Sequence, residues 1–301
     1  MQTRSHSTTP LIPASTFVLP YQGTWPTVLD CLCDNFPKIS RENWLGRFER
    51  KLVLDSHQNP IHHDLPYRAG LRIYYYREIV GEKEIPFREA ILYHDEHILV
   101  VDKPHFLPVT PAGDYVEQTL QTRLMARLNN TELQPLHRID RHTAGLVLFS
   151  VQKKTRALYQ ALFREQQISK RYEAIAPALP QLSFPHSRST RIVQGEQFFL
   201  SQEVAGTPNS HTIIDVIEQR GEWCRYQLNP VSGKKHQLRL HMANLGAPIC
   251  NDPFYPVVDN DAVDDYAKPL QLLAKELMFT DPLSGVPHHF QSEQSLSWNV
   301  I

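Results

Sequence analysis

A carboxylate close to two arginines is the most informative feature of the sequence. In the segment LHRIDRHTAGLVLFS, residues 136–150, Asp140 lies near Arg138 and Arg141, just before an apolar run. Nearby positive charge keeps a carboxylate ionised, and an ionised carboxylate can act as a nucleophile or as a base. Taken alone, the pattern also fits a loop held by a salt bridge, which is the more common role of an aspartate beside arginine.

Charge is distributed unevenly along a chain whose formal net charge is −1. Between residues 121 and 171 there are ten lysines and arginines and three acidic residues. From residue 251 onward the balance reverses, with eight acidic residues against Lys268 and Lys275. Such a polarised molecule can hold a polyanion on one face while it remains nearly neutral as a whole. The same charges could also be ordinary solvated helix faces.

Cysteine and histidine spacing gives no indication of a metal site. Cys31 and Cys33 are separated by one residue, which is not the usual spacing of zinc ligands, and Cys224 and Cys250 are isolated. His236 and His241 are five residues apart, which would place them on different faces of a helix. We therefore expect no bound metal and no disulfide framework.

The composition favours a globular protein without a membrane segment. The 301 residues, 41% of them hydrophobic, suffice for one large domain with a small partner. Apolar runs such as residues 98–101 are strand-sized and far short of a bilayer span. Pro13 and Pro20 interrupt the apolar segment near the N-terminus, which makes a poor signal peptide. We expect a cytoplasmic location.

Three regions are predicted along the chain: an N-terminal arm at 1–20, a small α+β module at 21–84, and a large domain at 85–301. In the large domain, short strand patterns outnumber helical ones. This favours an α+β fold with a mixed, largely antiparallel sheet and flanking helices and loops. Helices are predicted at about 117–128, 154–166 and 234–245 from apolar spacing and from Gly246 as a C-terminal cap.

Three segments of the large domain resemble signatures of the RluA-type family of RNA pseudouridine synthases. Residues 136–150 resemble H-R-L-D-x-x-T-S-G-L, with Ile139 and Ala144 as mild departures. SKRYEA at 169–174 resembles the K-x-Y-x-A strand. GKKHQLRLHMANLGAPICNDP at 233–253 resembles G-R-x-H-Q-L-R-x-H-x-A-x-x-G-x-P-I-x-G-D, with Asn251 where glycine is typical. The likeness extends over about residues 85–291 and contains the segments in the family's order.

The resemblance implies which residues form the active site. Asp140 falls on the essential aspartate of the family, Tyr172 on its active-site tyrosine, and Arg239 on the basic residue that pairs with the aspartate. Substrate binding is predicted for Arg138, His142, Thr143, Lys170 and Leu240. For Arg138 and His142 local salt bridges are an equal alternative, and Thr143 could instead shape the turn.

The chemistry of the reaction agrees with these roles. Cleavage of the bond between ribose and uracil develops positive charge on the sugar and negative charge on the base. Arg239 is expected to keep Asp140 ionised through a bidentate contact. Tyr172 offers an aromatic face for uracil and a phenol that could move a proton at carbon 5. The uridine must leave its stack to reach the site. A covalent adduct and abstraction of a ribose proton by Asp140 both remain open.

RNA, ribosomal or transfer, is therefore the predicted partner, with no nucleotide cofactor, no other cofactor, no membrane and a monomeric state. A glycosidase or nucleosidase would break the same kind of bond, but it usually needs a second carboxylate, for which Asp114 and Glu173 are candidates. A non-catalytic RNA-binding protein is the alternative from another class. The module at 21–84 faintly resembles the RNA-binding domain of family members, yet it could serve packing or targeting instead.

Overall fold

The chain forms two compact units in the computed structural model, which describes residues 12–79 and 81–300. The first unit comprises the described residues up to 82 together with 113–117, and the second comprises 83–112 together with those from 118 onward. A strand at residues 15–18 lies within the predicted N-terminal arm. Residues 15–18 are therefore part of a sheet and not of an arm, and residues 1–11 of the predicted arm lie outside the described residues.

The first unit is a three-stranded antiparallel sheet with two helices. Its elements are β1 (Ser15–Val18), α1 (Val28–Asn35), α2 (Arg41–Glu49), β2 (Val53–Leu54) and β3 (Arg72–Tyr75), in the sheet order β1-β3-β2. A capping box begins α1, in which the Thr27 hydroxyl accepts from Asp30 N–H and the Asp30 carboxylate accepts from Thr27 N–H. Ser40 caps α2, since its hydroxyl accepts from the N–H of Asn43. Buried Trp44 lies in the core of this unit.

The second unit is built on one mixed sheet of eleven strands. The strands are β4 (Ala90–His94), β5 (Ile98–Lys103), β6 (Gln134–Pro135), β7 (Ala144–Ser150), β8 (Ser169–Pro177), β9 (His186–Gln194), β10 (Ser201–Val204), β11 (Ser210–Arg220), β12 (Trp223–Pro230), β13 (Leu272–Thr280) and β14 (Pro287–Gln291). Their order is β10-β9-β11-β12-β8-β13-β7-β5-β4, with β14 paired to β13 and β6 to β7. Among the described strands only β13 and β7 pair in parallel, which confirms the predicted mixed, largely antiparallel sheet.

Helices cover the sheet at the positions where the sequence has apolar faces. They are α3 (Leu120–Leu128), α4 (Lys153–Arg164) and α5 (Gln237–Asn244), with short 3₁₀ helices at Ala262–Asp264 and Trp298–Val300. On α4, Tyr159 and Leu162 pack into a core cluster with residues of β5, β7 and β13. On α5, Leu238 and Met242 pack against residues of β8 and β12. Because each helix buries one apolar stripe, the loops at their ends are held against the sheet.

The parallel contact between β7 and β13 depends on a glycine. The two strands are paired at only two positions, Ala144 with Leu273 and Gly145 with Ala274. Gly145 has φ +109°, and a Cβ there would lie 2.3 Å from the carbonyl oxygen of Ala274. Only glycine accommodates both this backbone conformation and this close approach. The loop that carries Asp140 leads directly into this junction.

Some elements differ from the sequence prediction. The helix predicted from 234 begins at Gln237, because His236 has left-handed φ 57° and residues 234–237 form a turn. Strand β10 begins at Ser201, after the loop that connects it to β9. Within the described residues no helix combines the length and apolar character needed to cross a bilayer.

Candidate active site

A cavity of about 800 Å³ in the second unit brings the three predicted catalytic side chains together. Asp140 comes from the loop between β6 and β7, Tyr172 from β8, and Arg239 from α5. The volume is of the size that binds small ligands. Among the described residues that line it, Asp140 is the only carboxylate.

Arg239 binds Asp140 through one hydrogen bond, not two. Its Nη1 donates to Oδ2 of Asp140 at 3.3 Å. Its Nε and Nη2 donate to the two carboxylate oxygens of Asp252 at 2.8 and 2.6 Å. The predicted bidentate contact with Asp140 is therefore wrong, because that geometry belongs to Asp252. The side chains of Arg239 and Asp252 are each 1% exposed, whereas that of Asp140 is 28% exposed.

The electrostatic surroundings favour the ionised form of Asp140. Burial acts to raise the pKa of its carboxyl, but His236 and Arg239 outweigh burial and hold that pKa below its ordinary value. Burial likewise acts to lower the pKa of Arg239, but Asp252 and Asp140 together raise it. Asp140 is thus a carboxylate at neutral pH. Its Oδ1 accepts no hydrogen bond from the described residues.

Tyr172 lies in the cavity with a protonated phenol. Burial raises its pKa well above the ordinary value, and the charge of Asp140 adds to this effect. The hydroxyl has no hydrogen-bond partner among the described side chains and backbone groups, while the ring lines the cavity. Both the aromatic face and the O–H group are therefore available to a bound base.

Lys103 was not among the predicted site residues, although it stabilises the loop that carries Asp140. It ends the buried strand β5 and is itself fully buried. Its Nζ donates to the carbonyl oxygens of Pro104 at 2.8 Å and Arg141 at 3.1 Å. Burial lowers the pKa of this lysine to about 7. A charged pair, Asp102 and Lys103, directly after the apolar run 98–101 is the sequence signal that could have identified it.

Two more residues near Asp140 were not predicted as part of the site. His236 is the N-cap of α5, and its Nε2 lies 3.8 Å from Oδ1 of Asp140. Burial lowers its pKa to about 4, so that the imidazole is neutral at pH 7. Asp252, which fixes Arg239, is the single aspartate of the segment 233–253. Both residues lie inside that segment, which is the signal that could have pointed to them.

Three of the five predicted substrate-binding residues line the cavity: Arg138, Thr143 and Lys170. Arg138 is exposed, and its Nη1 lies 3.5 Å from the Thr110 hydroxyl. Thr143 is buried, and its N–H donates to the carbonyl oxygen of Asp140 at 3.1 Å, so it also shapes the turn. Burial lowers the pKa of Lys170.

The other two, His142 and Leu240, do not line the cavity. His142 is buried, and its Nε2 forms a hydrogen bond with the carbonyl oxygen of Val263 at 2.9 Å. Leu240 packs in a core cluster with Ile192 and Tyr255. Their positions support packing roles for both residues. Neither position supports the predicted contact with substrate.

Exposed cations surround the cavity on the sides formed by the Asp140 loop and by the segment before α5. Arg138, Lys234 and Lys235 are exposed lining residues, and we call these three the cationic rim. Two of them lie outside the basic stretch 121–171. Within that stretch Arg123 donates to backbone carbonyls of Ile85 and Phe87 instead. The basic stretch thus contributes only in part to the cavity.

No group of three or more histidine, cysteine, aspartate or glutamate side chains with metal-binding geometry occurs in the part of the chain that the structure describes. The polar lining of the cavity is instead dominated by cations and by the single carboxylate. Such a lining suits a negatively charged ligand whose chemistry uses one ionised aspartate.

Comparisons with known proteins identify the family. Residues 97–244 match the family model described as RNA pseudouridylate synthase. The chain is 31% identical over 219 residues to the dual-specificity RNA pseudouridine synthase RluA of Haemophilus influenzae, which covers 67% of this chain and 92% of that protein. It is 27% identical over 231 residues to an uncharacterized RNA pseudouridine synthase of Synechocystis, covering 76% and 79%.

A solved structure has the same fold. Human RNA Pseudouridylate Synthase Domain Containing 1 superposes with a TM-score of 0.58 and 20% identity, over 71% of this chain and 86% of that chain. The mixed sheet, the three family segments gathered at one cavity and the similarity to RluA agree with one another. The chain belongs to the RluA-type family of RNA pseudouridine synthases and is an RNA-modifying isomerase.

Proposed function

We propose that this protein converts specific uridines of ribosomal or transfer RNA to pseudouridine with Asp140 as the catalytic carboxylate. One observation carries this assignment. Asp140 is the only carboxylate among the described lining residues, and it is held ionised by Arg239 with its Oδ1 unoccupied by any described hydrogen-bond donor. An ionised, partly exposed oxygen in a cavity is what attack on a sugar carbon or removal of a ribose proton requires.

In this proposal Tyr172 acts on the base and Arg239 acts on the carboxylate. The detached uracil stays in the cavity against the Tyr172 ring, turns, and is reattached to the ribose through carbon 5. The phenol of Tyr172 then relays a proton: it accepts the proton that leaves carbon 5 as its own hydrogen passes to the uracil nitrogen that was freed from the ribose, so that the phenol ends protonated as it began. Arg239 stabilises the negative charge of Asp140 in the free enzyme.

RNA is held by the cationic rim, and the uridine is extruded into the cavity. The exposed cations of the rim neutralise phosphates on both sides of the extruded nucleotide. Lys170, on β8, lies inside the cavity and contributes positive potential there. Phosphate contacts of this kind position an RNA but do not select its sequence.

The test is to map pseudouridine across cellular RNA in a strain that lacks the gene. Expression of the wild-type chain should restore pseudouridine at a defined set of positions, and their location decides between ribosomal and transfer RNA. The variant Asp140→Asn should restore none, while it still folds and binds RNA. Restoration by Asp140→Asn at the wild-type level would refute the catalytic assignment.

The product distinguishes the alternatives. A glycosidase or nucleosidase would release free uracil, whereas isomerisation leaves the mass of the RNA unchanged. The lining disfavours the two-carboxylate mechanism, since Glu173 is buried, lies 3.8 Å from Arg171 in a salt bridge and does not line the cavity. A non-catalytic RNA-binding protein would keep its cellular role in the Asp140→Asn variant.

We further propose that residues 85–301 carry the catalytic activity and that the protein acts as a cytoplasmic monomer. Light scattering of the purified protein should then give a mass near the 34.8 kDa of one chain. A mass of twice that value, or recovery of the protein outside the cytoplasmic fraction, would contradict this part of the proposal.

A further inference from the structure

The two oxygens of the Asp140 carboxylate face different neighbours. Oδ2 accepts from Arg239, whereas Oδ1 lies 3.8 Å from Nε2 of His236. The His236 ring is buried against Phe254 and Tyr255, with centroid distances of 5.7 and 5.6 Å. A buried ring held on both sides cannot turn away from the carboxylate without disturbing its packing. Whether Nε2 carries a proton therefore decides whether Oδ1 of Asp140 has an N–H group or an unprotonated nitrogen as its neighbour.

Tyr255 controls the other nitrogen of the ring. Its hydroxyl lies 2.9 Å from Nδ1 of His236, and it accepts from the N–H of Ser201 at 2.8 Å. The carbonyl oxygen of Ser201 is the second acceptor within reach, at 3.1 Å. The hydroxyl has one hydrogen, and it donates that hydrogen to one of these two acceptors.

The charge of Asp140 selects between the two arrangements. If the hydroxyl donates to Ser201, Nδ1 of His236 carries the proton and an unprotonated Nε2 lies 3.8 Å from a carboxylate oxygen. If it donates to His236, Nε2 carries the proton and an N–H group lies at that distance from Oδ1. In the second arrangement the Tyr255 hydroxyl donates over the shorter distance, 2.9 Å to His236 instead of 3.1 Å to Ser201. It also places an N–H group, and not a nitrogen lone pair, near the Asp140 carboxylate, so that attraction replaces repulsion.

We propose that His236 is a positioning residue for Asp140, which presents an Nε2–H group to Oδ1 in a tautomer selected by the hydroxyl of Tyr255. Together with Arg239 on Oδ2, this N–H fixes the plane of the carboxylate towards the ribose. No proton leaves His236 in this role. The inference rests on the proposed function of Asp140, and it adds Tyr255 and His236 to the residues on which that function depends.

Other charged or titratable groups also act on Asp140 and remain in every variant below. They are Arg239 on α5, His142 in the same loop, Lys103 at the end of β5, Tyr172 on β8 and Lys235 before α5. Arg239, whose own pKa is raised, stays cationic and keeps the carboxylate ionised in the absence of His236. A change in the reaction rate on substitution of His236 or Tyr255 therefore measures the contribution of the Nε2–H group of His236.

Two amide substitutions separate positioning from packing. In His236→Gln the side-chain NH₂ can occupy the place of Nε2, whereas in His236→Asn the shorter amide reaches only the place of Nδ1. Asparagine suits the left-handed backbone of residue 236, with φ 57°, better than glutamine does. A purely structural role thus predicts that His236→Asn performs as well as His236→Gln or better. The proposal predicts the opposite order.

The expected result is a single-turnover rate for His236→Asn about tenfold or more below wild type, because a carboxylate that loses a fixed orientation is less often aligned with the ribose. His236→Gln should recover most of that loss. The substrate is total RNA from the strain that lacks the gene, and the readout is pseudouridine at the positions that the wild-type chain modifies. The acid limb of the rate profile should move to higher pH in His236→Asn, because the carboxylate loses a neighbouring N–H group, 3.8 Å away, that favours its ionised form. Equal rates for the two amides would overturn the proposal.

Tyr255→Phe supplies a second variant that keeps the ring contacts to His236 and to Arg239. It should reduce the rate in the same direction and leave the affinity for RNA unchanged. The tautomer itself is observable in long-range ¹H–¹⁵N spectra of protein labelled at histidine, with His236→Gln used to assign the signal. A neutral Nε2–H form in wild type at neutral pH is expected. A neutral Nδ1–H form or an imidazolium would overturn the proposal even if pseudouridine is formed, and this spectrum needs no active enzyme.

Discussion

Arg239 forms two hydrogen bonds with Asp252, at 2.6 and 2.8 Å, and one with Asp140, at 3.3 Å. Asp252 does not line the cavity, and it also accepts from the backbone N–H groups of Phe254 and Tyr255. The guanidinium is therefore fixed from behind by a carboxylate that does not line the cavity. Asp140 receives a rigid cation without being tied to it by a bidentate pair, and its side chain remains 28% exposed.

The first prediction concerns the stability that this buried pair provides. Asp252→Asn removes a charge from a partner that is 1% exposed, so the free energy of unfolding should fall by about 3–5 kcal/mol, as for other broken buried pairs. Asp140→Asn should cost less, because its side chain is 28% exposed and makes one weak bond to Arg239. Urea denaturation of both variants checks this order. A larger loss for Asp140→Asn would contradict it.

The second prediction concerns the cationic rim. Arg138→Gln and Lys234→Gln should each weaken RNA binding and reduce the slope of log affinity against log salt by about 0.7–0.9, the share of one phosphate contact. Lys268→Gln is the matched control, since Lys268 is exposed, does not line the cavity and lies 3.7 Å from Asp265. Filter binding over a range of salt concentrations measures the slopes. Equal slopes for all three variants would place the RNA elsewhere.

The third prediction concerns Lys103. Lys103→Met leaves two carbonyl oxygens without their donor, so the protein should lose about 1–3 kcal/mol of stability and the loop of Asp140 should loosen. The single-turnover rate should fall more than the affinity for RNA. Lys275→Met is a matched control, because Lys275 also donates to two carbonyl oxygens, those of Ser292 and Gln294, outside the cavity. It should lose similar stability and keep its rate. If both variants lose rate equally, the rate loss of Lys103→Met results from reduced stability of the whole protein and not from the loop of Asp140.

The fourth prediction is a loss of stability in mild acid. Burial lowers the pKa of five histidines from 6.5 to about 3 or 4: His105, His137, His142, His236 and His241. As the pH falls below about 6.5, these histidines bind protons in the unfolded chain. In the folded chain they stay neutral until about pH 4. The unfolding free energy should therefore decrease across this window, by up to about 1.4 kcal/mol per pH unit for each such histidine.

Urea denaturation at a series of pH values between about 7.5 and 5 measures that slope directly. Substitution of the exposed His57 by Gln should leave the slope unchanged, since its side chain is 82% exposed. Carboxylates with depressed pKa, such as Asp140, lose their contribution only at lower pH, as they are protonated. A stability that stays flat from neutral pH to about 5 would show that the buried histidines are protonated in the folded protein.

Sequence patterns located the elements that are buried on both faces. Strand β5 begins with the strand-sized apolar run 98–101, and β7 is the apolar run that follows Asp140 in the sequence. Strand β9 was missed because HSRSTRIVQ is polar, and Ile192 is its only fully buried residue. Pairing with two neighbouring strands holds it in place, and such pairing leaves no periodic apolar signal in a short polar segment.

The candidate site could be predicted from motifs but not from spacing. Asp140 and Arg239 lie 99 residues apart, and only the resemblance of their segments to one family joined them before the fold was known. The division of Arg239 between two carboxylates depends on the turn at 252–255, and the tautomer of His236 depends on a hydroxyl 19 residues away. Such contacts are properties of the folded chain alone.

Gly145 shows how a residue without any chemistry can determine whether this enzyme works. A single added methyl group there would collide with the Ala274 carbonyl and force apart the two parts of the sheet, which meet at only two residue pairs. Asp140, five positions earlier, would move with β7 while Tyr172 stays with β8. A genetic screen for inactive alleles would therefore recover Gly145 substitutions among the strongest, in proteins whose reactive side chains are all unaltered.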